Sequence, residues 1–497
     1  MLADMGLETD CDRPHNEKVL DEEVLTERYK HTIVSTEFVD AAADFSSGDA
    51  QVDPAEGFRV RKKIDYHILP LMCLLYWLGT IFYLSYLVFE LPQNLALQRF
   101  PVAKWMSINI GAWAIALCSH AACKNFAGLL VVRLILGMCE GSITAGFLIV
   151  TSMFYTRNEQ TLRVGYWFFM SNLAHIISGF ISFGILHIKP GKFEPWQWLM
   201  LIFGLVTLIA AVAFWFLFPD SPTTAWFLTK EERMVAVQRI KANQTGVENK
   251  HFRKEQMIEA LLDPKTWLFA LFAAFDNISN SLSSQRLIIV NSFGFTAMQT
   301  TLLDCVYGII AIVSMWSGVT LAAKIPNSRA YVACAYLILD IFGVLLLNLL
   351  PWDNKIGLLF SIWISGLGAT AFIISLSWIS SVNAGHTKKV TVNAIMLCGY
   401  CIGNSAGPFI WQAKYKPRNH VPWIIIGICH VVTICLLLSI RCLLVRENRV
   451  RDKEPADTTY DDVYVERIVD GIVKKVKVDK EFLDLTDHQN RDFRYVL

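Results

Sequence analysis

Long apolar runs separated by short polar connectors fill residues 66–445. A helix that crosses a bilayer needs roughly 20 apolar residues. That template fits over residues 66–97, 105–123, 126–155, 164–188, 198–218, 267–293, 301–323, 330–350, 356–382, 390–412 and 422–445. The pattern therefore predicts eleven membrane helices. One long polar stretch, residues 219–265 with eight Lys and Arg side chains, separates five of these runs from six. Basic connectors orient the set. Arg157 and Arg163, Lys324 and Arg329, Lys388 and Lys389, and the segment from Arg441 to Lys453 all fall on one side, which the positive-inside preference makes cytoplasmic.

The first run breaks this regularity. Arg59, Arg61, Lys62 and Lys63 precede it and Arg99 ends it, so both ends ask for the cytoplasm while one crossing satisfies only one of them. At 1.5 Å per residue it would make a helix of about 50 Å, too long for a hydrocarbon core of about 30 Å and too short for two crossings. Either the helix is long, tilted or broken with its N-terminus outside, or a stretch between Tyr76 and Gly79 is missing.

Composition agrees with a membrane chain. Of 497 residues, 54% are hydrophobic and 18% charged, more apolar side chain than a soluble core buries. The net charge of +1 leaves no basic footprint for nucleic acid. Most of the twelve cysteines lie within the apolar runs and no His-rich companion accompanies them, so they read as packing residues rather than a disulfide framework or metal site. Residues 1–56 are polar and acidic without the apolar segment of a secretory signal. The chain divides into a polar cytoplasmic tail (1–58), a first helical bundle one helix short (59–218), a central cytoplasmic loop (219–265), a six-helix bundle (266–445) and a cytoplasmic C-terminal tail (446–497). The last tail is charged and non-periodic. It reads as a partly disordered extension with a short hairpin over residues 463–478 turning at Asp470-Gly471.

Ionisable residues at membrane depth are expensive and are read first as functional. In the third run, Arg133 and Glu140 are seven residues apart, two helical turns, and share a face. A guanidinium fork suits a carboxylate, and a glutamate in a low-dielectric site can take and release a proton. The plainer reading is that both pair with other polar groups and hold the bundle together. Gly137 and Gly141 on the same helix allow close packing. After the central loop, Asp276-Asn277-Ile-Ser279-Asn280, continuing to Gln285-Arg286, is too polar for lipid. Asn277 and Asn280 lie on one face and are candidate substrate contacts, with interhelical hydrogen bonding the alternative. The tenth run adds Asn393, Asn404, Gly399, Gly403, Gly407 and Pro408, with Asn404 a third candidate contact and the glycines and proline candidates for gating or packing. His386, in the short turn over residues 383–389, reads as readily as part of a positive-inside anchor. No hydrolase, phosphate-binding, metalloprotease or dinucleotide fingerprint occurs, so neither an enzyme nor a metal or cofactor site is expected.

The run Arg133-x-x-x-Gly137-x-x-Glu140-Gly141 resembles a helix motif of anion symporters in the major facilitator superfamily. Phe218-Pro219-Asp220-Ser221-Pro222, the segment from Phe227 to Arg233 with Arg239, Asp263-Pro264-Lys265-Thr266-Trp267, residues 383–389 with Gly403-Asn404 and Gly407-Pro408, and the ending Phe493-Arg-Tyr-Val-Leu497 are similar to the fungal allantoate permease-like, anion:cation symporter family. The resemblance covers residues 59–497. It implies an all-α membrane protein with twelve helices in two pseudo-two-fold-related bundles, a substrate held in one central cavity, and uptake of a small organic anion driven by the proton gradient. Allantoate, ureidosuccinate, a vitamin-like carboxylate or a short peptide fit that class. It also implies a monomer in the fungal plasma membrane, Arg133 as the substrate's carboxylate partner and Glu140 as the proton-coupling residue. A non-transporting nutrient sensor of the same fold is the rival. The family continues from its first helix into an external loop and the start of a second, whereas here Leu75-Tyr76-Trp77-Leu78 runs straight into Gly79. The resemblance thus implies a missing segment, and with it an inactive product as a further alternative.

Overall fold

The computed structural model describes residues 81–185, 194–241, 252–416, 418–455, 464–469, 472–477 and 484–497. The conflict expected between Tyr76 and Gly79, and the Asp470-Gly471 turn, lie outside the described residues. What remains of the first run is helix α1, residues 81–99. The first half continues through α2 (Val102–His120), α3 (Phe126–Phe154), α4 (Arg157–Ile185) and α5 (Pro195–Leu217). Two short helices, α6 (Lys230–Lys241) and α7 (Lys254–Leu262), lie in the central loop. The second half comprises α8 (Pro264–Ser279), α9 (Leu282–Ser292), α10 (Ala297–Lys324), α11 (Arg329–Leu349), α12 (Lys355–Ile364), α13 (Ala369–Ser381), α14 (His386–Ala406) and α15 (His420–Arg451).

Local chemistry sets the starts of these helices. Asn125 accepts from the Gly128 N–H ahead of α3, Asn354 from the Gly357 N–H ahead of α12, and Thr296 and Gln299 form a reciprocal capping box on α10. Asp263 caps α8, whose first residue is Pro264, where a missing N–H costs nothing. Two expected continuous runs are broken. Residues 267–293 divide into α8 and α9 around Asn280 and Ser281, and residues 356–382 divide into α12 and α13 around Ser365-Gly366-Leu367-Gly368.

The second half has a closed core in which Phe269, Phe272, Leu337, Trp378 and Leu437 are fully buried. The first half is looser. Only 6% and 11% of the apolar windows of α4 and α5 are buried, against 33–56% in the six other long apolar helices. Among the described residues the first half has five membrane helices where the second has six crossings, so these two helices lack a neighbour on one side.

The basic connectors gather at one end, the cytoplasmic one by the positive-inside rule. Arg329 Nη2 donates to the Arg157 carbonyl (3.2 Å), and Arg441 Nη1 to the Asn327 carbonyl (2.7 Å). At this end the halves touch: Gln98 Nε2 donates to Thr387 Oγ1 (2.9 Å), and Ser377 Oγ to Thr161 Oγ1 (3.2 Å).

The last fourteen residues correct the expectation of a partly disordered tail. Residues 484–497 pack across this end, with Asp487 and Phe493 fully buried. The Arg157 guanidinium lies 3.9 Å over the Phe493 ring, Trp378 Nε1 donates to the Val496 carbonyl (2.7 Å), and the Arg329 N–H donates to the Leu497 carbonyl (3.3 Å). Upstream, β1 (Tyr464–Val469) and β2 (Ile472–Lys477) pair antiparallel in the register Tyr464 with Lys477 through Val469 with Ile472. That hairpin falls within residues 463–478, where alternation predicted one.

Candidate functional site: a polar cavity between the halves

A cavity of about 340 Å³ lies where α4 meets the second half. From α4 come Phe168, Ser171 and Asn172; both broken helices supply the opposite wall. The break between α8 and α9 places Asn277, Ser279, Asn280 and Ser283 on the cavity, and the break between α12 and α13 places Ser365, Gly366 and Gly368 there. Interrupted helices inside a membrane protein are tolerated where the freed backbone is buried in protein or lines a cavity.

Three carboxylates and one guanidinium line this space. The Arg286 guanidinium carbon of α9 lies over the Tyr307 ring of α10, 3.3 Å from its centroid, and Nη1 reaches Asp304 Oδ1 at 3.4 Å. The Arg286 Nε has no hydrogen-bond partner among the described residues. Asp340 of α11 caps the half-helix α13: its Oδ2 accepts from the Gly368 N–H (2.9 Å) and faces His430 Nε2 of α15 at 3.5 Å. A Cβ on Gly368 would sit 2.1 Å from Asp340 Oδ2, so a side chain there would displace that carboxylate. Asp276 of α8 is 8% exposed and has no hydrogen-bond or salt-bridge partner among the described residues.

The amides expected on one face are organised in two layers. Asn280 Nδ2 donates to Asn404 Oδ1 (2.8 Å), while Asn404 Nδ2 donates to Asn277 Oδ1 (3.2 Å) and to the Tyr400 carbonyl (3.0 Å). Asn277 and Asn280 line the cavity. Asn404, expected as a direct contact, stands behind them with its oxygen and nitrogen already engaged, so it orients the other two. Gly403 and Gly407 of the same helix bring α14 against α8 and the residues that follow it: a Cβ on Gly403 would meet the Ala274 carbonyl at 2.3 Å, and one on Gly407 would meet Ser281 Cβ at 2.7 Å. Pro408 follows in a single turn of 3₁₀ helix.

Arg133 and Glu140 occupy a different place. Their face of α3 packs against α1: a Cβ on Gly137 would lie 2.2 Å from the Phe82 carbonyl oxygen, and one on Gly141 would lie 3.0 Å from Glu90 Oε2. Arg133 does not line the cavity, and its Nε is buried without a hydrogen-bond partner among the described residues. Glu140 is close enough to Tyr83, Tyr86, Glu90 and Tyr400 to interact with each electrostatically. Glu90, fully buried, accepts from Asn94 Nδ2 (2.6 Å) through Oε1 and leaves Oε2 without a partner among the described residues. The Tyr83 and Tyr86 rings meet Tyr400 at centroid distances of 6.2 and 6.0 Å, and Tyr400 also faces the cavity. Two carboxylates and three tyrosines therefore adjoin the cavity through one shared ring.

Glu90, Asp304, Asp340 and His430 were not singled out from sequence. Asp340 is the lone charged side chain of the run 330–350, and His430 stands with no Asp, Glu, Lys or Arg between residues 421 and 440; the signal that drew attention to Arg133 would have found them too.

At the cytoplasmic end a separate ionic cluster joins the tail to the second half. Lys265 Nζ reaches Asp487 Oδ2 (2.5 Å) and Asp263 Oδ2 (3.2 Å); Lys388 Nζ reaches Glu259 Oε1 (2.8 Å), Asp263 Oδ2 (3.0 Å) and Asp487 Oδ1 (2.8 Å). Asp263, Asp487 and His488 could converge on a cation, but two ammonium groups already neutralise those carboxylates.

The Major Facilitator Superfamily profile matches residues 66–408. The thiamine pathway transporter of Saccharomyces cerevisiae is 33% identical over 477 residues, 88% of this chain and 86% of that protein. The allantoate permease of the same yeast is 31% identical over 491 residues, covering 90% and 88%. Among solved structures, the proton:xylose symporter XylE, bound to 6-bromo-6-deoxy-D-glucose, aligns with a TM-score of 0.61 at 12% identity over 74% of this chain and 86% of its own. That likeness speaks for the fold alone. With a profile match across most of its length and relatives named as transporters and permeases, this chain belongs to the Major Facilitator Superfamily and is a multi-pass membrane transporter of small molecules.

Proposed function

We propose that this transporter takes up a small carboxylate-bearing solute across the fungal plasma membrane, coupled to proton influx. The observation that carries the reading is Arg286. It is the cavity's one guanidinium among the described residues, stacked on Tyr307 with an unused donor, a geometry suited to a carboxylate. This reading moves the anion-binding role from Arg133, which lies outside the cavity, to Arg286. Glu140 keeps the coupling role, with Glu90 beside it and Tyr400 connecting both to the cavity. The relative named for allantoate supports a carboxylate as the solute class, because allantoate is one.

The test is initial-rate uptake of labelled allantoate and of labelled short-chain dicarboxylates in yeast cells lacking their own routes for them. Uptake should rise as external pH falls and collapse with a protonophore, and Glu140→Gln should flatten the pH dependence while preserving exchange of labelled for unlabelled solute. Uptake indifferent to both pH and protonophore would refute the coupling. Binding without uptake would favour a sensor.

A further inference from the structure

We infer that the solute also carries a cationic nitrogen, received by Asp276, so that the natural substrate is a zwitterion rather than a simple anion. This rests on the carrier reading above and concerns the same cavity.

The argument begins with charge. Asp276, Asp304 and Asp340 face the cavity against Arg286 and His430, so a solute bringing only negative charge would enter a space where acids outnumber bases. Two of the acids have protein partners: Asp304 has Arg286, and Asp340 has the Gly368 N–H and His430. Asp276 has none among the described residues, although it is more than nine-tenths buried and lines the cavity. The Asp276 oxygens open on the cavity rather than on protein, so a cationic or hydrogen-bonding ligand group there would be their partner. The neighbouring amides, Asn277 and Asn280, are held by Asn404, so their orientation is set before a ligand arrives. Asp276 on α8 and Arg286 on α9 flank the helix break, giving an acidic and a basic receptor on either side of one gap in the backbone. An ammonium at Asp276 and a carboxylate at Arg286 would satisfy both.

Matched pairs of compounds test this on the purified, detergent-solubilised full chain, read by thermal stabilisation. The pairs are phenylalanine with 3-phenylpropionate, 5-aminopentanoate with pentanoate, and glycylglycine with N-acetylglycylglycine. At least one amine-bearing member should bind about tenfold more tightly than its uncharged-nitrogen or deaminated twin, and Asp276→Asn should shrink that ratio towards one. Equal or tighter binding of the twins across the panel would overturn the inference and leave the carboxylate carrier standing. So would an unchanged ratio in Asp276→Asn, or an equal weakening of both members, which would mark Asp276 as a proton carrier instead. If no carboxylate stabilises the protein, both readings fall together. The wild-type comparison needs no variant, so it decides even if Asp276→Asn does not fold.

Discussion

The cytoplasmic ionic cluster makes an ordered prediction about stability. Glu259, Asp263 and Asp487 supply three negative charges around the ammonium groups of Lys265 and Lys388; Asp487 and Lys388 are fully buried. Asp487→Asn leaves two carboxylates facing two ammoniums, a balanced set. Lys388→Met leaves three carboxylates with one ammonium. Breaking a buried pair by removing one partner costs about 3–5 kcal/mol, so the aspartate variant should fall near the lower bound and the lysine variant near or beyond the upper. Asp487 also accepts the Tyr495 hydroxyl (2.6 Å), so its loss loosens the terminal segment that covers Trp378 and Arg157. Thermal unfolding of the detergent-solubilised protein, followed by tryptophan fluorescence, should show both variants below wild type with Lys388→Met lowest. The pH sign is fixed as well. Burial alone would raise the carboxyls of Asp263 and Asp487; Lys265 and Lys388, joined for Asp263 by the His488 hydrogen bond, outweigh it and hold both below the usual range. Acids depressed in the folded state contribute stability that is complete above an unfolded carboxylate pKa of about 4 and is lost only as pH falls further. The difference between wild type and Asp487→Asn should therefore shrink as pH falls below about 4. An Asp487→Asn protein as stable as wild type, or one less stable than Lys388→Met, would refute the charge arithmetic.

Arg286→Ala should reduce affinity for carboxylate solutes by about 10–100-fold, the worth of a charge-assisted hydrogen bond, and Arg286→Lys should restore only part, checked by competition against labelled uptake. Gly137→Ala should destabilise the first half by about 1–3 kcal/mol, because its methyl would press on the Phe82 carbonyl, and a lower unfolding temperature with unchanged solute selectivity is the expected signature. Complementary DNA spanning the codons of Trp77 to Thr80 should reveal a longer transcript form encoding one more crossing, roughly 20 residues plus a loop; only a message matching this sequence would leave the open faces of α4 and α5 to lipid.

The helices were legible because the bilayer imposes a length and a polarity that no other environment requires, and the tail hairpin because alternation and a turn dipeptide coincide. The site was less so, for reasons specific to each residue. Asn277, Asn280 and Asn404 could be grouped by polarity, but which amide faces the cavity depends on the packing of α14 against α8 at Gly403, a contact between residues far apart in the chain. The motif around Arg133 and Glu140 marks a close helix crossing as clearly as it marks charge, and Gly137 and Gly141 meeting α1 show that packing explains half of it. The terminal segment was read as loose because its composition is polar and charged. Its order comes from partners elsewhere in the chain: Lys265, Lys388 and Trp378 bury it.

Physical proximity at the two ends of the second half links these observations into one mechanism of closure. The terminal segment touches Arg157 of the first half and Trp378 of α13 at the cytoplasmic face, while Asp340 caps the other end of the same α13 at the cavity. Any rotation that opens the cytoplasmic side must separate Thr161 from Ser377 and Gln98 from Thr387, and it must slide Phe493 off the Arg157 guanidinium. Those contacts are single hydrogen bonds and one stacked cation, each worth about 1 kcal/mol. The ionic cluster beneath them is several times stronger and joins the tail to the second half and to α7 just before it, with no member from the first half. The tail should consequently travel with the second half as the transporter opens, leaving Arg157 behind. A crosslink between Arg157→Cys and Phe493→Cys should arrest uptake, whereas one between Trp378→Cys and Val496→Cys should permit it.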